Sequence, residues 1–150
     1  MSMQTDCIYG YGFVIYASDE QLRQFILIHK DTISHIANGR ELLNYVADHQ
    51  DDSFNPKEDF YDWENGITGD SGIYGMIADV MYEETGVCFE YHCGQENDDD
   101  AILLPQMYPW QMNKKEESLT EDSLREICKK YIADLGGQLT TDYIRMEYFG

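Results

Sequence analysis

The feature that most restricts the fold is a repeated change of hydrophobic period along the chain. Cys7–Ala17 is rich in aromatic and β-branched residues and predicts a strand. Behind a capping box at Ser18-Asp-Glu-Gln21, Leu22, Phe25, Ile26 and His29 recur at helical spacing. The helical pattern runs on through Ile33 and Ile36, breaks at Asn38-Gly39, and resumes with Leu42, Leu43 and Val46. After a loop at 51–56, residues 57–64 predict a short acidic helix and Gly66–Gly72 a second loop. Ile73–Glu84 carries Ile73, Ile77, Val80 and Met81 on one face, with Gly86 placed to cap it. The period then becomes two: Val87, Phe89, Tyr91 and Cys93 alternate with Cys88, Glu90 and His92, and Ala101–Met107 predicts a partner strand. A second capping box, Ser118-Leu-Thr-Glu121, opens a helix along Leu124, Ile127, Cys128, Tyr131 and Leu135. Gly136-Gly137 ends it, and Asp142–Phe149 predicts a last strand.

This order predicts an α+β fold, a small antiparallel sheet of about four strands covered by helices. It matches the split β-α-β topology of ferredoxin-like domains, with a large acidic helical insertion at about 41–86 in the first crossover. The 150 residues read as one domain, long enough to bury a core without disulfides. Met1–Asp6 lacks the basic and apolar segments of a secretory signal, and the longest purely apolar runs fall far short of a membrane span. A cytoplasmic protein with reduced thiols is the expectation. Cys88 and Cys93, about 16 Å apart on a strand at ~3.3 Å per residue, are too distant to bridge.

Charge is distributed far from evenly. The chain has 29 acidic and 10 basic residues, a formal charge of −19. Residues 41–100 alone contain seventeen acids and one base, Lys57. The acids concentrate at Asp51 and Asp52; at Glu58, Asp59, Asp62 and Glu64; at Glu83 and Glu84; and at Glu96, Asp98, Asp99 and Asp100. A surface tuned for solubility intersperses both signs, which this segment does not. Phe60, Tyr61 and Trp63 interrupt the acids, and aromatic residues are the side chains that anchor interfaces.

Four short motifs stand out against this background. Gly69-Asp70-Ser71-Gly72 resembles the nucleophile signature of chymotrypsin-like proteases over four residues only. Ile73-Tyr74 follow where that family continues Gly-Pro, and a cap for the next helix explains Asp70 or Ser71. Gly66, Gly69 and Gly72 precede a helix as phosphate loops do, but Asp62, Glu64 and Asp70 surround them without a lysine. Asp51–Asp62 follows EF-hand offsets, yet Pro56 stands where the loop requires Gly and Asp62 where it requires Glu. Cys88, His92 and Cys93 lack a second ligand pair for zinc. No catalytic, metal or cofactor site is therefore expected.

A field of this sign repels phosphates and anionic lipid, so neither nucleic acid nor membrane is an expected partner. The expected partner is a basic protein, a nucleic-acid-binding protein or nuclease. The twelve acids named in these clusters, with Phe60, Tyr61 and Trp63, form the candidate binding set. Small acidic inhibitors of this class, carried by phages and mobile elements, act against restriction enzymes and CRISPR effectors by imitating nucleic acid. The alternatives are a small enzyme using paired carboxylates and a regulatory binding module without mimicry.

Overall fold

The computed structural model describes residues 5–61, 63, 72–93, 100–105, 112–137 and 139–149. Its strands are β1 (Thr5–Val14), β2 (Glu90–His92), β3 (Ala101–Pro105) and β4 (Thr141–Phe149). Its helices are α1 (Asp19–Ile28), α2 (Lys30–Ile33), α3 (Gly39–Asp48), α4 (Pro56–Asp59), α5 (Ile73–Thr85), α6 (Lys114–Glu117) and α7 (Glu121–Asp134). The strands make one sheet in the order β2-β3-β1-β4. Every neighbouring pair is antiparallel: β1 meets β4 from Thr5↔Phe149 to Phe13↔Thr141, β1 meets β3 from Gly10↔Pro105 to Val14↔Ala101, and β2 meets β3 from Glu90↔Leu103 to His92↔Ala101. Since β1 and β2 both oppose β3, they run the same way with β3 between them. That is the split β-α-β arrangement, its first crossover enlarged to hold α1–α5.

The sheet's inner face carries Tyr11, Phe13 and Ile102, all buried. Against it lie Leu22, Phe25 and Ile26 of α1, and Cys128, Tyr131 and Ile132 of α7. Helix α5 is buried at every position from Ile73 to Ala78 and again at Val80 and Met81, which makes it the central helix of the core. Between β1 and β3 the backbones approach so closely at Gly12 that an added Cβ would lie 1.9 Å from the Ile102 carbonyl oxygen. No residue with a side chain fits that position unless the strands separate.

Local signals explain most element ends. The Ser18 hydroxyl accepts from the Gln21 N–H (3.1 Å) and the Gln21 amide oxygen accepts from the Ser18 N–H (2.9 Å), closing the expected capping box. Gly86 ends α5 in the left-handed region at φ 74°, as its position predicts.

Three expectations need correction. The cap of α7 is Thr120, which accepts from the Ser123 N–H, whereas Ser118 ends α6. The capping box in this region is Asn113 with Glu116, because the buried Glu116 carboxylate also takes the Cys88 N–H at 2.8 Å. The acidic helix expected at 57–64 stops at Asp59, with Phe60 and Tyr61 in a turn. The strand expected from Val87 pairs only from Glu90, and its alternation fails at the end: His92 is buried and Cys93 exposed. Among the described residues Cys88 and Cys128 are free thiols. Burial pushes both Cys88 and Cys128 up to about 11. No described helix is long and apolar enough to cross a membrane.

Candidate functional site

Loop 51–55 and α4 form a ridge bearing Asp51, Asp52, Glu58 and Asp59, each exposed. Its shape follows from short-range bonds. The Asp51 carboxylate accepts from the Ser53 N–H (3.0 Å) and hydroxyl (2.5 Å), an Asx turn that holds the Asp51 carboxyl below its ordinary value. Pro56 opens α4 at a position where its missing N–H costs nothing. The Tyr45 hydroxyl of α3 donates to Asp59 Oδ2 (2.5 Å) and accepts from the Asn55 N–H (2.7 Å), stitching loop and helix together. Burial, then the bond to Asp59, raises the Tyr45 phenol.

The aromatics interleaved with these acids mostly face inward. Phe54 is buried, and Phe60 packs edge-on to Tyr45 at 5.0 Å and tilted on Trp63 at 6.3 Å. Trp63, expected as a partner anchor, is 4% exposed, and its indole N–H donates to Asp79 Oδ2 at 2.9 Å. It anchors the ridge to the core instead, because a large ring with one polar atom satisfies both needs there. Tyr61, at 69% exposure, is the aromatic of this set that faces solvent.

The cations nearest the ridge do not neutralise it. The Arg23 guanidinium lies 4.6 Å over the Phe54 ring, pairs with Glu20 (3.1 Å), and donates to the carbonyls of His49 (3.3 Å) and Asp51 (3.2 Å). The Lys57 ammonium sits 5.0 Å from the Tyr16 ring centroid and 5.8 Å from that of Tyr74. Among the described residues no Lys or Arg lies within ion-pair distance of the Asp51, Asp52, Glu58, Asp59 or Glu83 carboxylates.

Glu84 and Asp100 are engaged elsewhere. Asp100 accepts from the Tyr91 hydroxyl at 2.9 Å, and its carbonyl accepts from the Ile15 N–H. Glu84 belongs to a junction of four helical segments around His29, which is 5% exposed. The two nitrogens of His29 meet Glu84 Oε2 (2.9 Å) and Asp134 Oδ2 (2.7 Å). Only the imidazolium can donate to both at once. Thr32 donates to Glu84 Oε2 (2.6 Å), Tyr131 donates to Oε1 (2.7 Å), and the Lys130 ammonium stands 4.0 Å away. Burial raises the Glu84 carboxyl, but the bonds from Thr32, His29 and Tyr131 outweigh it and hold the group below its ordinary value. A carboxylate so saturated is a structural tie rather than an accessible acid or base.

Asp62, Glu64, Glu96, Asp98 and Asp99 of the candidate set lie outside the described residues, as does the Gly69–Ser71 motif. Sequence reading missed the His29 junction, since its members are separated by 55 and 105 positions. The one available signal was His29 on an apolar helix stripe. Comparisons with protein-family models, curated proteins and solved structures give no match to the chain.

Proposed function

We propose that the protein is an acidic inhibitor that occupies the basic, nucleic-acid-binding surface of a partner protein, in the manner of anti-restriction or anti-CRISPR mimics. The observation that carries this reading is the exposed ridge of Asp51, Asp52, Glu58 and Asp59 beside Tyr61, whose neighbouring cations are turned onto rings and carbonyls. Duplex DNA presents one charge per ~1.7 Å of axis, and a protein surface substitutes for it by holding several carboxylates on a rigid support. Tyr45, Phe54, Pro56 and Trp63 supply that support.

The test is displacement of labelled duplex from a panel of restriction endonucleases and CRISPR effectors at low salt. The comparison protein has Asp51→Asn, Asp52→Asn, Glu58→Gln and Asp59→Asn, which keep the acceptors that shape the loop. Displacement by the wild type, lost in the neutralised variant at unchanged circular dichroism, supports mimicry. Equal displacement by both proteins rejects the ridge. Partner binding without displacement favours a regulatory module over a mimic.

A further inference from the structure

Strand β4 is one edge of the sheet, and among the described residues no strand pairs with its outer side. An edge of this kind presents a row of main-chain N–H and C=O groups that template a further strand, and folds usually blunt it with short strands, prolines or bulges. The opposite edge, β2, is three residues long. β4 has nine residues, none of them proline or glycine. It follows β1 in unbroken register from Thr5↔Phe149 to Phe13↔Thr141, with no bulge. Where the two strands meet, the Tyr9 and Tyr143 rings stack at 5.7 Å, each 45% exposed. The edge is long, regular and flanked by exposed aromatic surface.

The order of residues in β4 says which strand fits it. When two copies of one strand pair antiparallel about a two-fold axis, the residue on the axis faces itself and residues equally distant on either side face each other. With Met146 on the axis, Arg145 of one copy stands opposite Glu147 of the other, twice by symmetry. Ile144 then stands opposite Tyr148, and Tyr143 opposite Phe149. Opposite charges, aromatic pairs and aromatic with β-branched residues are the cross-strand pairs that stabilise an antiparallel ladder. The neighbouring registers fail. Arg145 or Glu147 on the axis sets like charges against each other, and Ile144 on the axis sets Asp142 against Met146 and Glu147 against Thr141. We infer that the protein forms a two-fold dimer by antiparallel pairing of β4 with β4 of a second copy over residues 143–149, continuing the sheet from one copy into the other. No residue of the acidic ridge takes part in the pairing.

The test is sedimentation equilibrium of the full chain, joined to amide hydrogen exchange at a low and a high protein concentration. At high concentration the particle is expected to have twice the chain mass. Alternate amides within residues 143–149 should then exchange at least about tenfold more slowly than in the dilute protein. Arg145→Glu and Glu147→Arg each set like charges across the axis, and each is expected to weaken the dimer at least about tenfold. The double variant Arg145→Glu with Glu147→Arg restores opposite pairs and should return to within about threefold of wild type. Circular dichroism checks that each variant is folded, and the exchange measurement on the wild type decides the edge even where a single reversal unfolds the chain. A monomer at every concentration up to about 1 mM overturns the dimer. A dimer whose added protection falls outside β4 overturns the edge. A dimer unmoved by either single reversal, or not recovered in the folded double variant, overturns the register.

Discussion

At the scale of single residues, two partly buried carboxylates behave in opposite ways, and pH separates them. Asp79 is half-buried beneath the ridge, where burial raises its carboxyl, the Trp63 indole lowers it and Glu83 raises it, with a net rise. An acid held above its unfolded value disfavours the folded state while ionised, so its contribution improves as pH falls through the raised value. Asp79→Asn keeps an acceptor for the indole and removes the charge. It should match or exceed wild-type stability at neutral pH in urea denaturation, whereas Asp79→Leu should cost about 1–3 kcal/mol by leaving the N–H unpaired. Glu84 has the reverse sign. Its carboxyl is held below the ordinary 4.5, so its stabilisation is present above that value and is lost as pH falls through the depressed one. Glu84→Gln should be less stable than wild type by about 2 kcal/mol at neutral pH, with the gap closing in acid. His29→Gln, which removes the imidazole shared by Glu84 and Asp134, should cost about 2 kcal/mol. These roles were illegible in the sequence because each depends on which distant side chain burial brings alongside.

At the scale of elements, the chain itself is more informative where the cause of an end is local. The Ser18 cap, the Asn38-Gly39 break and the Gly86 stop act within a few residues and stand where the pattern places them. Gly86→Ala should cost about 1 kcal/mol, a backbone effect alone, since an added Cβ there meets nothing closer than 3.8 Å. Gly12→Ala should cost about 3 kcal/mol or more, because the obstacle is the carbonyl of the neighbouring strand. Thermal melts of the two variants side by side distinguish conformational from steric need. The misplaced ends have tertiary causes. The cap expected at Ser118 moved to Thr120 because Glu116 is drawn under Cys88, and α4 ends early because Phe60 and Trp63 turn into the core.

At the scale of the whole molecule, a charge of −19 on 150 residues is a standing repulsion that packing must overcome. Sodium chloride should therefore raise the melting temperature as the Debye length shrinks from about 30 Å at 0.01 M to about 8 Å at 0.15 M. Replacing Asp51, Asp52, Glu58 and Asp59 by their amides should flatten that dependence, which a salt series on both proteins measures. Association with a basic partner should respond oppositely, slowing as salt rises, since steering fields are screened over the same lengths.

The order of periods along the chain was enough to specify an antiparallel α+β sheet and the split β-α-β connection, because each period is a local property that burial on one face imposes. The sequence likewise determined that residues 41–100 carry the excess charge, which is arithmetic. Only the tertiary structure decided how that charge is presented. It turned Trp63 and Phe54 inward beneath the ridge, tied Glu84 to His29, and aimed Arg23 and Lys57 at rings. Spacing cannot settle these matters. An acid and an aromatic ring alternate in the same way whether the ring faces solvent or the core, and which it does depends on the elements that pack against it.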